Sequence, residues 1–251
     1  MPRMIAGLLL PMINTHIITC MGLLLLLLLL LSSSLGLFFV VLAADEDSLQ
    51  DMCVADVVTA IHGNGQHACK PDALVEAEDF VFRGLRHDTT PTNATSSSFM
   101  TMSPPYGIVK LLATVREFPG VNTQGMSMVR VDFEPGGLNP PHLHPRASEL
   151  ALVAQGTFYS GFVTTDGRLF ARTLEPGDIM VFPRGLVHFQ VHIGPGRGIL
   201  FGSLNSQNPG TQVIPTSLFD SSPSILDQVL LKAFLLTPHQ LQSIKARFHN
   251  T

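Results

Sequence analysis

The chain has 251 residues, with 15 basic and 19 acidic side chains, a formal net charge of −4, three cysteines and no tryptophan. A hydrophobic share of 45% against 14% charged residues excludes a largely disordered chain, and the length suits one medium domain with a leader or two very small domains. Four lysines, scattered arginines and a pI near 6.2 exclude a polyanion binder, because neutralising phosphates takes clustered positive charge.

Apolar content is concentrated at the start. Leu23 to Leu31 is unbroken leucine, and a second apolar run follows from Leu35 to Leu42. A transmembrane anchor needs about 20 apolar residues and a signal core about 7–15. Ala43-Ala44 before Asp45-Glu46-Asp47 resembles a cleavage site, so residues 1–44 read as a removed secretory signal, with no stable membrane anchor left behind. The mature chain then carries a net charge of −5 and keeps Cys53 and Cys69. In an oxidising compartment the economical reading is one disulfide, and the alternative is two unpaired buried thiols. Asn93-Ala94-Thr95 is a glycosylation sequon in a polar loop.

Residues 45–100 read as a loop-rich arm, with a short helix around Leu49 to Ala60 and a turn at Gly63-Asn64-Gly65. Within 101–219, short strands separated by glycine and proline predict a β-sandwich or barrel. They run Met126–Phe133, Leu150–Ala154, Thr157–Thr164, Arg168–Leu174, Ile179–Phe182, Val187–Ile193 and Gly198–Leu204. Asp166-Gly167 is a hairpin turn. Met126 and Met128 share a strand face and are expected to pack between elements. Residues 220–251 predict two helices. The first carries Leu226, Val229, Leu230 and Ala233; the second opens on a Thr237-x-x-Gln240 capping box and carries Leu241, Ile244 and Phe248. Their apolar faces suit either the barrel itself or another subunit.

The candidate site lies in Gly136-Gly137-Leu138-Asn139-Pro140-Pro141-His142-Leu143-His144-Pro145-Arg146-Ala147-Ser148-Glu149. His142 and His144, two apart on a strand, project from one face. A turn after Pro145 lets Glu149 face the same centre, and an antiparallel return brings His188 opposite. Three imidazoles and a carboxylate make a nitrogen/oxygen metal site without thiolate. Six-coordinate manganese or iron would leave two positions open, although affinity order alone favours zinc and copper. His62, His67, His87 and His239 are expected to be solvated. The chain lacks a phosphate loop or serine-hydrolase elbow.

These residues carry a family resemblance. Gly136, His142, His144, Glu149 and Gly156 match the first cupin box, and Gly177, Pro183, Gly185 and His188 the second. Cys53-Val54-Ala55-Asp56, Val131-Asp132-Phe133 and Phe201 to Gly210 narrow the resemblance to plant germins and germin-like proteins. It implies an all-β cupin jelly-roll barrel with a disulfide-linked N-terminal arm and C-terminal α-helices. It also implies one manganese ion on His142, His144, Glu149 and His188, a Cys53–Cys69 bridge, and a hexamer built as a trimer of dimers. The implied location is extracellular, in the apoplast or cell wall.

The departures bear on activity. Germins proper oxidise oxalate and place asparagines near the metal. Asn139 matches one and is the substrate-contact candidate, whereas the other position is Val129, which cannot hydrogen-bond a carboxylate. His192 stands where the second box normally ends in asparagine. It shares the inward face with His188 and Gln190, about 13 Å along the strand from His188, and reads as a polar core residue rather than a fifth ligand. The functions implied are manganese-dependent superoxide dismutation with a role in plant defence, oxalate oxidation, which Val129 disfavours, or a non-catalytic wall or receptor-like protein.

Overall fold

The computed structural model describes residues 50–57, 67–86, 100–103 and 106–249. Among these residues eleven strands form two antiparallel sheets. The first sheet has the order β1 (Met100–Ser103), β2 (Ile108–Ala113), β3 (Ser127–Phe133), β10 (Gly198–Leu204), β5 (Glu149–Gln155), β8 (Ile179–Phe182). The second has β11 (Gln212–Val213), β4 (Leu138–Leu143), β9 (Val187–His192), β6 (Phe158–Val163), β7 (Leu169–Leu174). Each expected strand is present to within a residue or two of its ends. β1, β2 and β11 escape the sequence reading, while the strand expected to carry His142 is β4, which ends at Leu143 just before His144.

Alternation along each strand stacks the inward side chains in layers. In the lower layer, Ile108, Phe133 and Gly198 of the first sheet are in register. They face His192 and Phe158 of the second, where the Phe133 and Phe158 rings meet edge-on at 4.9 Å. Above them lie Lys110, Val131, Leu200 and Val153 on one wall and Asn139, Gln190 and Ser160 on the other. The upper layer holds Leu112, Val129, Gly202 and Ala151 opposite His142 and His188. Apolar residues of both sheets form one core cluster, concentrated low in the barrel and leaving the polar groups above.

The arm is bound by the Cys53–Cys69 disulfide and a bridge between Ala55 and Cys69. Ala55 N–H also donates to Pro119 O at 3.0 Å, and Ala55 packs with Val115 and Val121. The helix expected around Leu49–Ala60 is not formed over 50–57, which run as bends and the Ala55 bridge, because their backbone groups are used across the arm rather than locally. The 63–65 turn, Asn93, His62, His87 and residues 1–44 lie outside the described residues.

Beyond the barrel come α1 (Ile214–Phe219), α2 (Asp227–Phe234) and α3 (Pro238–His249). α1 is an addition to the two expected helices. Thr237 and Gln240 make the capping box: Thr237 N–H donates to Gln240 Oε1 at 2.8 Å and Gln240 N–H to Thr237 Oγ1 at 3.3 Å. Phe219 contacts Phe234 and Phe248, and Leu230 and Leu241 are buried, so part of each apolar stripe folds back on this chain. Leu226, Val229 and Leu235 stay exposed. Met126 and Met128, expected between elements, are exposed, Met128 on the outward face of β3, whose odd residues take the inside, and Met126 just before that strand.

Candidate metal centre

His142 and His188 face each other in register on β4 and β9. His144 follows β4 directly, and Glu149 opens β5 on the opposite sheet. All four side chains are buried, and one ligand atom from each lies within 4.8 Å of every other. Among the described residues this is the cluster of His, Cys, Asp and Glu that is able to hold a metal ion.

The rings are turned by their own backbone neighbours. His142 Nδ1–H donates to Pro140 O at 2.8 Å, His144 Nδ1–H to Gly210 O at 2.6 Å and His188 Nδ1–H to Leu186 O at 2.9 Å. With the proton held on Nδ1, each neutral ring offers its Nε2 lone pair to the centre. Phe182 stacks on His188 at 4.5 Å and 15°, fixing that ring. His188 Nε2 is buried without a hydrogen-bond partner, 3.4 Å from Glu149 Oε2. An orphaned buried nitrogen of this kind is what a bound cation would satisfy. The donor set, three imidazole nitrogens and a carboxylate, fits manganese, iron or zinc alike.

Electrostatics point the same way. Burial, then the charges of His188, Lys110 and His144, push the His142 imidazole well below its ordinary range, against the pull of Glu149. Burial alone would raise the Glu149 carboxyl, but the adjacent His144 and His188 hold it well below the usual carboxylate range. His142 is therefore held as the neutral imidazole and Glu149 as the ionised carboxylate, the forms in which each binds a metal.

Asn139 reaches the same centre: its Nδ2 lies 3.4 Å from His142 Nε2 and donates to Gln190 Oε1 at 2.7 Å. Val129 is on the opposite wall in the layer of His142 and His188, one rung above that of Asn139 and beside Gly202. A Cβ on Gly202 would come within 2.4 Å of Glu149 Oε1 and 2.8 Å of Val129 Cγ1, so the carboxylate needs glycine at that position.

Residues 92–242 match the cupin family. Germin-like protein 5-1 of Oryza sativa subsp. japonica is 45% identical over 205 residues, covering 82% of this chain and 86% of that protein. The chain belongs to the germin-like proteins of the cupin family. The rhicadhesin receptor of Pisum sativum is 46% identical over 202 residues, covering 80% of this germin-like chain and 88% of the receptor. A solved oxalate oxidase superposes with a TM-score of 0.75 at 37% identity, over 82% of this chain and 98% of its own.

Within the germin-like barrel, His192 occupies the lower layer, away from the cluster. Its Nδ1–H donates to Glu134 O at 3.0 Å, its Nε2 has no partner, and its ring fills space left by Gly156, Gly194 and Gly198. Gly156 permits this through a φ of +88°. His67 is half-buried rather than solvated: its carbonyl accepts from Asn122 Nδ2 at 3.2 Å and its Nδ1 is enclosed. His239 is exposed as expected. Sequence reasoning missed Gly202, Ser160 and Lys110; a single lysine within the apolar run Ile108-Val109-Lys110-Leu111-Leu112-Ala113 was the available signal for the last.

Proposed function

We propose that this protein is a secreted manganese germin-like protein of the extracellular matrix whose centre dismutes superoxide and serves in plant defence. The observation that carries this reading is the buried convergence of His142, His144, Glu149 and His188, with three Nε2 atoms aimed at one point. These four would hold the ion, one per subunit. When bound, manganese supplies a centre that cycles between two oxidation states, so that one superoxide is oxidised to dioxygen and another reduced to hydrogen peroxide with uptake of two protons.

The chain's own residues do the rest. The three backbone carbonyls keep protons on Nδ1, Glu149 carries the compensating charge, and the Asn139 amide, 3.4 Å from His142 Nε2, would be a contact for a small anion. In purified, manganese-loaded protein, superoxide loss is expected to vanish with His144→Ala; activity that persists without metal would count against the proposal. Oxalate oxidation is the second reading, favoured by the likeness to oxalate oxidase and opposed by Val129. A non-catalytic wall or receptor-like role is the third, and the rhicadhesin receptor among its relatives favours it.

The same reading divides the chain into a signal peptide (1–44), an arm carrying the glycan at Asn93 (45–100), the barrel (101–219) and assembling helices (220–251). It places the chain in a hexamer of three dimers. An apolar groove of about 790 Å³ on the outward face of the first sheet, bordered by Phe80, Met126, Met128, Leu150 and Val181, supports subunit contact there. Among the described residues no helix is long and apolar enough to cross a membrane. Light scattering on the secreted protein is expected to give six subunits, and a monodisperse monomer would contradict the assembly.

A further inference from the structure

Lys110 has no role in the reading above, yet it sits inside the barrel. Ile108, two residues before it on β2, belongs to the core cluster, so alternation turns Lys110 to the same inner face. Its cross-strand neighbours are Val131, then Leu200, then Val153, all buried and apolar. One rung above, Leu112, Val129 and Gly202 lead to the Glu149 carboxylate. A step of two strand residues is about 7 Å, within reach of an extended lysine.

The opposite wall of the same layer is polar. Asn139, Gln190 and Ser160 are in register and each almost wholly buried. Asn139 Oδ1 and Ser160 Oγ have no hydrogen-bond partner. Buried polar atoms are nearly always satisfied, so the Ser160 hydroxyl is a buried donor that a ligand would satisfy, whereas Asn139 Oδ1 is an acceptor and does not itself hold an anion. Lys110, although between the sheets, is only half-buried.

Charge strengthens the case. Burial pushes the Lys110 ammonium down to about 8, with Glu149 drawing it up, so it stays protonated at neutral pH and below. Glu149 Oε2 lies 3.1 Å from His144 Nε2 and 3.4 Å from His188 Nε2, within the four-residue cluster. The buried Asp132 carboxylate lies on the outer face of β3, held by Arg130 and Arg197, and does not serve Lys110. A divalent cation on the four ligands would leave the interior with two positive charges in excess. A cation enclosed without a counter-charge is costly, and a small anion relieves it.

We propose that Lys110, facing Asn139, Gln190 and Ser160, forms an anion subsite beneath the four-residue cluster that takes a small carboxylate. The ammonium and the Ser160 hydroxyl donate to the carboxylate oxygens. The proposal deepens the reading of His142, His144, Glu149 and His188 as a cation site, and supplies from β2 the polar contact that Val129 does not provide.

The test titrates formate into the full-length secreted protein, metal-free and loaded with redox-inert zinc, following heat by calorimetry and the melting temperature. Wild-type protein is expected to bind formate in both forms, more tightly with zinc. Lys110→Met is expected to weaken binding about tenfold or more, since hydrogen bonds to a charged group are lost, and to abolish the formate-induced rise in melting temperature. Should Lys110→Met fail to fold, the Lys110 Nζ nitrogen resonance of wild-type protein must still shift on adding formate. Unchanged affinity in Lys110→Met, or a Lys110 resonance indifferent to formate, would overturn the subsite. Lys110-dependent formate binding in protein that takes up no zinc would sink the cation reading alone.

Discussion

Asn139 and His142 are three residues apart on β4, yet both face the barrel interior. Register explains this: Asn139 pairs with Gln190 and His142 with His188, so β4 uses three residues where β9 uses two. The extra residue at Pro140-Pro141 is a bulge, and neither proline has an N–H to lose from the ladder. Without it, strict alternation would send Asn139 outward and away from the cluster.

Because the Asn139 amide already reaches the cluster, a second amide at Val129, on the opposite wall in the layer of His142 and His188, decides whether a dicarboxylate is held from two sides. Val129→Asn is expected to introduce or raise oxalate-dependent peroxide release while leaving metal content unchanged. The peroxide assay on manganese-loaded wild type and variant checks this. No change on adding the amide would show that Val129 is not what limits oxalate chemistry.

Gly202 sets how close the first sheet comes to the cluster. Gly202→Ala places a methyl against Glu149 Oε1, so the carboxylate must leave its position. Overpacking should cost about 1–3 kcal/mol of stability. Metal affinity should fall by about tenfold or more, as for other lost supports of a ligand. Denaturant titration of the metal-free variant and metal titration of the folded one separate the two effects.

The pH dependence of the metal-free protein follows from Glu149 and His142. Glu149 is depressed in the folded state, so its contribution is fully present above its ordinary value of 4.5 and is lost as pH falls through its folded value. His142 is also depressed from 6.5; below that value the unfolded chain binds the extra proton and stability falls. Both act in one direction. Stability should decline as pH drops from neutrality, first below about 6.5 and again below about 4.5. Glu149→Gln should flatten the lower part of that curve in urea titrations, and an unchanged slope would remove Glu149 from the account.

Much of this was legible in the sequence. His142, His144, Glu149 and His188 were readable because two box patterns mark them, and alternation alone turns His188, Gln190 and His192 inward. The capping box at Thr237 was equally local. What escaped depends on long-range pairing. β2 shows an apolar run without a turn signal, so the inward direction of Lys110 is known only once β2 pairs β3. Gly202 looks like an ordinary strand glycine until Glu149 is placed over it from another strand. The helix expected near Leu49 does not form over 50–57 for the same reason: Val54, Ala55 and Asp56 commit their backbone groups to Lys70, Pro119 and Ala68, far away in the chain.

The central claim is that one cation is gripped by four side chains from both sheets. Anomalous diffraction at the manganese edge on natively purified protein tests it most directly. The account predicts one peak per subunit between the Nε2 atoms of His142, His144 and His188 and the Glu149 carboxylate. A manganese peak elsewhere, or none there in protein that retains superoxide-dismuting activity, would contradict it.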